Sequence, residues 1–247
     1  MKTFCTQLSD DGLVNLTAYL HDLSPELSNL NTRPCVMILP GGGYNMLSDR
    51  EGEPVAAAFF AHGYNAFVLR YSVGKNKCFS DALRDGQNAL RLIRANAEEW
   101  HINPQQIAVC GFSAGGHLAA SLGVTGTERP NALILAYPCI LDSMSRILSF
   151  PVPSCDETVD SNTPQAFLFH TSNDSSVPVE NSLRMADALA RNNIRFELHI
   201  FSEGLHGLSL ANRLTCNSSE DMINPAAEQW LPLCLSWLNK VLKTDSD

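Results

Sequence analysis

The chain has 247 residues, 45% of them hydrophobic, and a formal net charge of −9. That length and apolar share suffice for one large core, so residues 1–247 are expected to form a single domain. The acidic balance disfavours nucleic acid and anionic membrane as partners, the N-terminus shows no basic-then-apolar leader, and no stretch reaches the length of a membrane span.

In chain order, the segment containing Leu16-Thr17-Ala18-Tyr19-Leu20 is expected to supply an antiparallel edge hairpin. Strand-like runs follow at Cys35–Leu39, Asn65–Tyr71, Gln106–Cys110, Ala132–Tyr137, Gln165–His170 and Arg195–Phe201. They alternate with helical stretches over about Pro54–His62, Ser80–Trp100, Ala114–Leu122, Val179–Arg191 and Pro225–Leu242. Alternation of this kind argues for an α/β fold with a mainly parallel sheet and helices on both faces. Pro232 conflicts with an unbroken last helix and predicts a kink or a later start. The terminal Lys243-Thr244-Asp245-Ser246-Asp247 is expected to be frayed.

Four loops carry the chemistry. Directly after the first of these strands comes Pro40-Gly41-Gly42-Gly43-Tyr44, where glycines let backbone N–H groups face a cleft with no side chain in the way. Alone, three glycines read more readily as a flexible turn. Next comes Gly111-Phe112-Ser113-Ala114-Gly115, placed where a buried strand turns into a helix. Such a pattern arises by chance in about one chain in twelve of this length, so its context carries the assignment. Glycines at the bend permit close approach of strand and helix, and the serine hydroxyl is expected to stand exposed at the strand's carboxyl end.

A serine nucleophile needs a base, a group to orient that base, and donors for the developing oxyanion. Asp174 follows the strand ending at His170, in a loop that leads into an amphipathic helix. A turn aspartate bonding its own backbone is the ordinary reading there, and the strand–loop–helix context favours the orienting acid. Seven histidines compete for the base: His21, His62, His101, His117, His170, His199 and His206. His206 alone follows a strand inside a glycine-flanked loop, Gly204-Leu205-His206-Gly207, downstream of the acid. His199 alternates with apolar neighbours on a strand and reads as structural. His117 rides the same rigid helix start as Ser113, too close to reach it, and is read as packing or support.

Taken together, Pro40-Gly41-Gly42-Gly43-Tyr44, Gly111 to Ala119, Asp174-Ser175-Ser176-Val177-Pro178 and Gly204-Leu205-His206-Gly207 resemble the α/β-hydrolase carboxylesterases. The resemblance covers about residues 14–240 and is closest to the acetyl esterase and acetylxylan-esterase-like branch related to the hormone-sensitive lipase group. It implies the α/β-hydrolase fold, Ser113 as nucleophile, Asp174 as acid, His206 as base, and the amides of Gly42, Gly43 and Ala114 as the oxyanion hole. Tyr44, closing the glycine motif, is assigned to substrate binding. The wider lipase-like group has His where this chain has Pro40, so this loop must be anchored differently. Peptidases of the prolyl-oligopeptidase type share the same order of Ser, Asp and His, which leaves ester and amide open.

Between residues 138 and 164 lies the place for a lid. Its only apolar run, Met144 to Phe150, is too brief for a lipid-binding lid, although Ile147, Leu148 and Phe150 suit one wall of a cleft. A small, water-soluble, short-acyl ester is therefore the expected substrate; an acetylated sugar rests on the resemblance alone. No metal-ligand cluster or nucleotide loop is evident, so no cofactor is expected. Cys5, Cys35, Cys78, Cys110, Cys139, Cys155, Cys216 and Cys234 are scattered without C-x-x-C spacing and read as small hydrophobes in a reducing cytoplasm. A silent α/β-hydrolase-like binding protein is the alternative from another class; it would have lost one of the elements above, and all are present. The sequence does not fix the oligomeric state.

Overall fold

Period-two alternation decides which helices cover which face of the sheet. The computed structural model describes residues 1–242, so the expected fraying of Lys243–Asp247 lies outside the described residues. Its strands are β1 (Lys2–Gln7), β2 (Asn15–Leu20), β3 (Arg33–Leu39), β4 (Asn65–Arg70), β5 (Ile102–Phe112), β6 (Ala132–Ala136), β7 (Gln165–Thr171) and β8 (Phe196–Phe201). They form one sheet in the order β1-β2-β4-β3-β5-β6-β7-β8. β1 and β2 make the expected antiparallel hairpin, β2 also runs antiparallel to β4, and every other pairing is parallel.

The helices are α1 (Glu53–Ala61), α2 (Phe79–Ala95), α3 (Ala114–Val124), α4 (Glu180–Arg191), α5 (Pro225–Glu228) and α6 (Trp230–Val241). Met37, Val109, Leu135 and Leu168 project from four neighbouring strands into one core cluster with α2, α3 and α4. The alternate residues Ile38, Cys110, Ile134 and Phe167 enter a second cluster with α1 and α6. Strands buried on both faces are apolar at nearly every position, which is why they read as short continuous runs.

Two boundaries differ from expectation, and the break expected from Pro232 is present. α2 stops at Ala95 because the Asn96 side chain caps the Leu92 carbonyl (2.8 Å), and the chain then turns to bury Trp100. β5 begins at Ile102, since Arg33 already pairs with that residue across a register shift. The last helix breaks at Gln229 and restarts at Trp230. Pro232 falls in its first turn, where an amide has no partner within its own helix. Between β6 and β7 the chain holds only the two 3-10 turns Asp142–Arg146 and Asp156–Thr158. No helix among the described residues is long and apolar enough to cross a membrane.

Candidate active site

All four predicted loops meet at the carboxyl ends of the parallel strands. Ser113 sits between β5 and α3 with φ 52° and ψ −116°. This left-handed backbone is costly for a non-glycine residue and is kept only when the surroundings enforce it. Two glycines make it possible: a Cβ on Gly111 would lie 2.1 Å from the Gly115 carbonyl oxygen, and one on Gly115 would lie 2.1 Å from that of Leu39. The Ser113 amide donates to Ala136 O (3.0 Å) and its carbonyl accepts from the His117 and Cys139 amides (3.0 Å each). One expectation needs correction here. Ser113 is not an exposed residue but retains 8% of its surface, because the cleft floor surrounds it.

His206 lies beside it, with Nε2 2.8 Å from Ser113 Oγ and Nδ1 2.6 Å from Asp174 Oδ2. A carboxylate can only accept, so Nδ1 carries the proton and donates, leaving Nε2 to accept from the serine hydroxyl. Asp174 serves two purposes at once. Its Oδ1 accepts the Ser176 and Val177 amides (2.9 Å each), the turn-aspartate pattern, while Oδ2 faces the imidazole. Burial pushes its carboxyl pKa upward, but hydrogen bonding from His170 and His206 outweighs this and holds it well below the usual carboxylate range. The buried His170 is fixed in turn, donating from Nε2 to Val177 O (2.9 Å) and accepting at Nδ1 from Ser182 Oγ (2.8 Å). The Thr171 hydroxyl donates to Gly204 O (3.0 Å) and the Gly204 amide to Asn173 Oδ1 (2.9 Å), tying the histidine loop to the acid loop.

Gly42 and Gly43 line a cleft of about 400 Å³ together with Ser113 and His206. Among the described residues their amides have no hydrogen-bond acceptor, and Ala114 opens α3, where the first amides lack intrahelical partners. Ile147 and Leu148 line the cleft as expected. Phe150 does not; its ring lies 4.6 Å from that of Tyr44, under the loop. Tyr44 is likewise a correction. Its side chain is fully buried and its hydroxyl donates to His117 Nδ1 (3.0 Å), so it supports the glycine loop from below and cannot contact substrate. His117 donates from Nε2 to Pro153 O (2.9 Å), joining α3, the glycine loop and the segment between β6 and β7. Burial lowers its pKa to about 4.

The glycine loop that begins after Pro40 is held by groups distant in the chain. Tyr71 donates to Pro40 O (2.5 Å), and the Gly41 amide donates to Glu51 Oε2 (2.8 Å). Glu51 was not legible in the sequence. It lies in Asp49-Arg50-Glu51-Gly52-Glu53, a charge run that reads as solvated surface, yet it is 3% exposed. Its Oε1 accepts the Tyr137 hydroxyl (2.6 Å), and that hydroxyl accepts the Ser209 amide (2.9 Å). The Tyr137 ring meets His206 edge-on at 5.1 Å. Glu51 and Tyr137 thus connect the glycine loop to the histidine loop. Cys139 also reaches the cleft, but burial pushes its thiol up to about 12, leaving it protonated and inert. No group of three or more His, Cys, Asp or Glu among the described residues is placed to hold a metal.

A strained serine at the end of a central strand, facing a glycine loop and a histidine–carboxylate pair on this sheet, defines an α/β-hydrolase. Residues 22–147 match the BD-FAE family model, and residues 150–224 match the prolyl oligopeptidase family. The chain is 36% identical over 228 residues to endo-1,4-beta-xylanase B of Butyrivibrio fibrisolvens, covering 80% of this chain and 35% of that protein. It is 31% identical over 230 residues to the acetylxylan esterase of Xylanibacter ruminicola, covering 83% and 46% respectively. It therefore spans less than half the length of either relative. A solved alpha/beta hydrolase enzyme, MGS-M1 from a Medee basin deep-sea metagenome library, is 44% identical with a TM-score of 0.93 over 98% of both chains. The chain belongs to the α/β-hydrolase carboxylesterases, in their acetylxylan-esterase-like branch.

Two outcomes are expected. Tyr137→Phe removes a hydroxyl that satisfies both a buried carboxylate oxygen and the Ser209 amide, so it should lower unfolding free energy by about 1–3 kcal/mol. Urea unfolding at neutral pH measures this, and unchanged stability would show that the network carries no load. The second concerns pH. With a folded pKa of about 4 against about 6.5 unfolded, His117 takes up protons preferentially in the unfolded chain as pH falls below about 6.5. Its stabilisation is complete above that value and declines toward pH 4, a loss of about 2 kcal/mol by pH 5. Comparing wild type with His117→Gln at pH 7 and pH 5 tests it; equal losses in both proteins would remove His117 as the source.

Proposed function

We propose that this chain is a serine esterase acting on small, water-soluble, short-acyl esters, with acetylated sugars foremost. The observation that carries the reading is the unbroken hydrogen-bond relay from Ser113 through His206 to Asp174, set beside the amides of Gly42 and Gly43, which have no acceptor among the described residues. Ser113 Oγ attacks the acyl carbon while its proton passes to His206 Nε2, and the resulting imidazolium is stabilised by Asp174. The carbonyl oxygen, now an anion, is met by the amides of Gly42, Gly43 and Ala114. Collapse of the tetrahedral intermediate expels the alkoxide, which takes the proton from His206 and leaves an acyl-enzyme. Water then attacks with the same base and releases the acid.

The apolar part of the cleft supports a short acyl group. Ile147 and Leu148 form one wall, and only two 3-10 turns stand between β6 and β7 where a lipase would need a larger lid. We read residues 1–247 as one catalytic domain with 138–164 as a short cap, and its free, scattered cysteines support the reading of a reducing cytoplasm. The sugar reading draws on the acetylxylan esterase likeness. An amide substrate is the second reading, favoured by the match of residues 150–224 to the prolyl oligopeptidase family.

Ser113→Ala and His206→Ala should each lower kcat by several orders of magnitude, because removing either half of the nucleophile–base unit disables the same step. His117→Ala should cost far less in kcat. Steady-state hydrolysis of an aryl acetate by folded variants checks this, and the reverse order of the two histidines would overturn the assignment. Across aryl acetate, butyrate and octanoate, kcat/KM should favour acetate. Each added CH₂ contributes about 0.8 kcal/mol only if it is buried, and only two 3-10 turns between β6 and β7 are at hand to cover a long chain. A clear octanoate preference sinks the short-acyl reading, and faster cleavage of an aryl amide than of its ester would favour the peptidase reading.

A further inference from the structure

Across a ridge formed by Ser48 and Arg50 lies a second concavity, of about 540 Å³, larger than the cleft itself. Ser48 and Arg50 line both spaces. Pro40, two residues before the cleft glycine Gly42, lies in its wall together with Thr17 and Tyr19 of β2, Arg70 of β4 and Glu53 at the start of α1. The topology opens this corner. Leu16, Ala18 and Leu20 of β2 point into the core shared with α2 and α3, so Thr17 and Tyr19 face the other way, where α1 covers the sheet only from Glu53 onward.

Reaction geometry says which part of a substrate lies nearest. The leaving oxygen must sit at His206 Nε2 to collect its proton, so the alcohol portion lies on the His206 side of the cleft. There the wall is Gly207 and Arg50; a Cβ on Gly207 would stand 3.3 Å from Arg50 Nη2. Arg50 is pinned in that place, donating from Nη1 to Thr215 O (2.9 Å) and accepting at its carbonyl from Ser209 Oγ (2.6 Å). Because Ser48 and Arg50 line both spaces, an alcohol portion long enough to pass over them extends into the concavity.

The lining states the chemistry. Asp49 and Glu53 oppose Arg50 and Arg70, two carboxylates against two guanidiniums, with Asp49 and Arg70 already paired at 3.2 Å. Balanced charge favours no ionic ligand, while the same groups and the hydroxyls of Thr17, Tyr19 and Ser48 donate to and accept from an uncharged, hydroxyl-rich ring. We propose that this concavity is a subsite for a distal sugar ring of an oligosaccharide whose acetylated ring occupies the cleft. The inference rests on the sugar-ester reading above.

The test compares Thr17→Trp, which fills the space, and Arg70→Gln, which removes a donor, with wild type on three substrates. These are an aryl acetate, an acetylated xylose and an acetylated xylo-oligosaccharide. Oligosaccharide kcat/KM should fall about tenfold in the variants, while the aryl acetate and the single sugar stay within about twofold, which also shows that the variants fold. An equal fall on all three, or none on the oligosaccharide, overturns the subsite and leaves the esterase reading intact. Wild type that cleaves the aryl acetate but neither acetylated sugar overturns the sugar reading and the subsite with it.

Discussion

The close contact of α3 with the ends of β3 and β5 is the constraint on which the rest of the molecule depends. Gly115 lies so near the Leu39 carbonyl, and Gly111 so near Gly115, that no side chain fits at either position. Only this approach holds Ser113 at φ 52° at the head of α3. Widening the gap by one methyl group would push the helix off the strands and release the strain. The same contact brings the glycine loop, which leaves β3 at Leu39, alongside the serine. Strain at Ser113 is thus enforced by backbone packing, and the enforcing residues precede any chemistry.

Around that point the sheet delivers one loop from each of five adjacent strands. β3 supplies Gly42 and Gly43, β5 supplies Ser113, β6 supplies Tyr137 and Cys139, β7 supplies Asp174, and the loop after β8 supplies His206. Parallel pairing from β4 through β8 ensures that all these loops emerge at one end. Ligand sites of open α/β sheets form at such ends for this reason.

Polar groups beneath the cleft do the fine positioning. Glu51 is buried with a backbone amide and a tyrosine hydroxyl as partners, and Asp174 with two amides and the imidazoles of His206 and His170. Such groups are expensive to bury unless satisfied, and once satisfied in a low-dielectric interior they fix loops firmly. Tyr137, at φ 36°, and Ser209, at φ 54°, are both strained residues held by this network. Trp230 adds to it from α6, donating to Ser209 O (2.9 Å) while stacking on Phe169. The second helical face of the sheet therefore contributes to the placement of His206.

The sequence by itself determined the alternation of strands and helices and the glycine-bounded serine, and it singled out the Asp174 and His206 loops, because these are local signals. The hydrogen bond that joins Asp174 to His206 across 32 positions belongs to the tertiary structure. Apolar runs of strand length, glycines at a bend and a polar loop after a strand depend on neighbours within a few residues. Tyr44 shows where local reading stops: it follows the glycine loop in sequence, but its ring turns into the core to meet His117, seventy-three positions away. Glu51 and Tyr137 lie 86 positions apart and meet through a hydrogen bond that no spacing rule anticipates. His117 was legible as a supporting residue and its partners were not. Only the tertiary structure decided which charged residue of the run Asp49 to Glu53 is buried, since burial depends on what distant strands bring opposite it, and the chain carries no local mark of that.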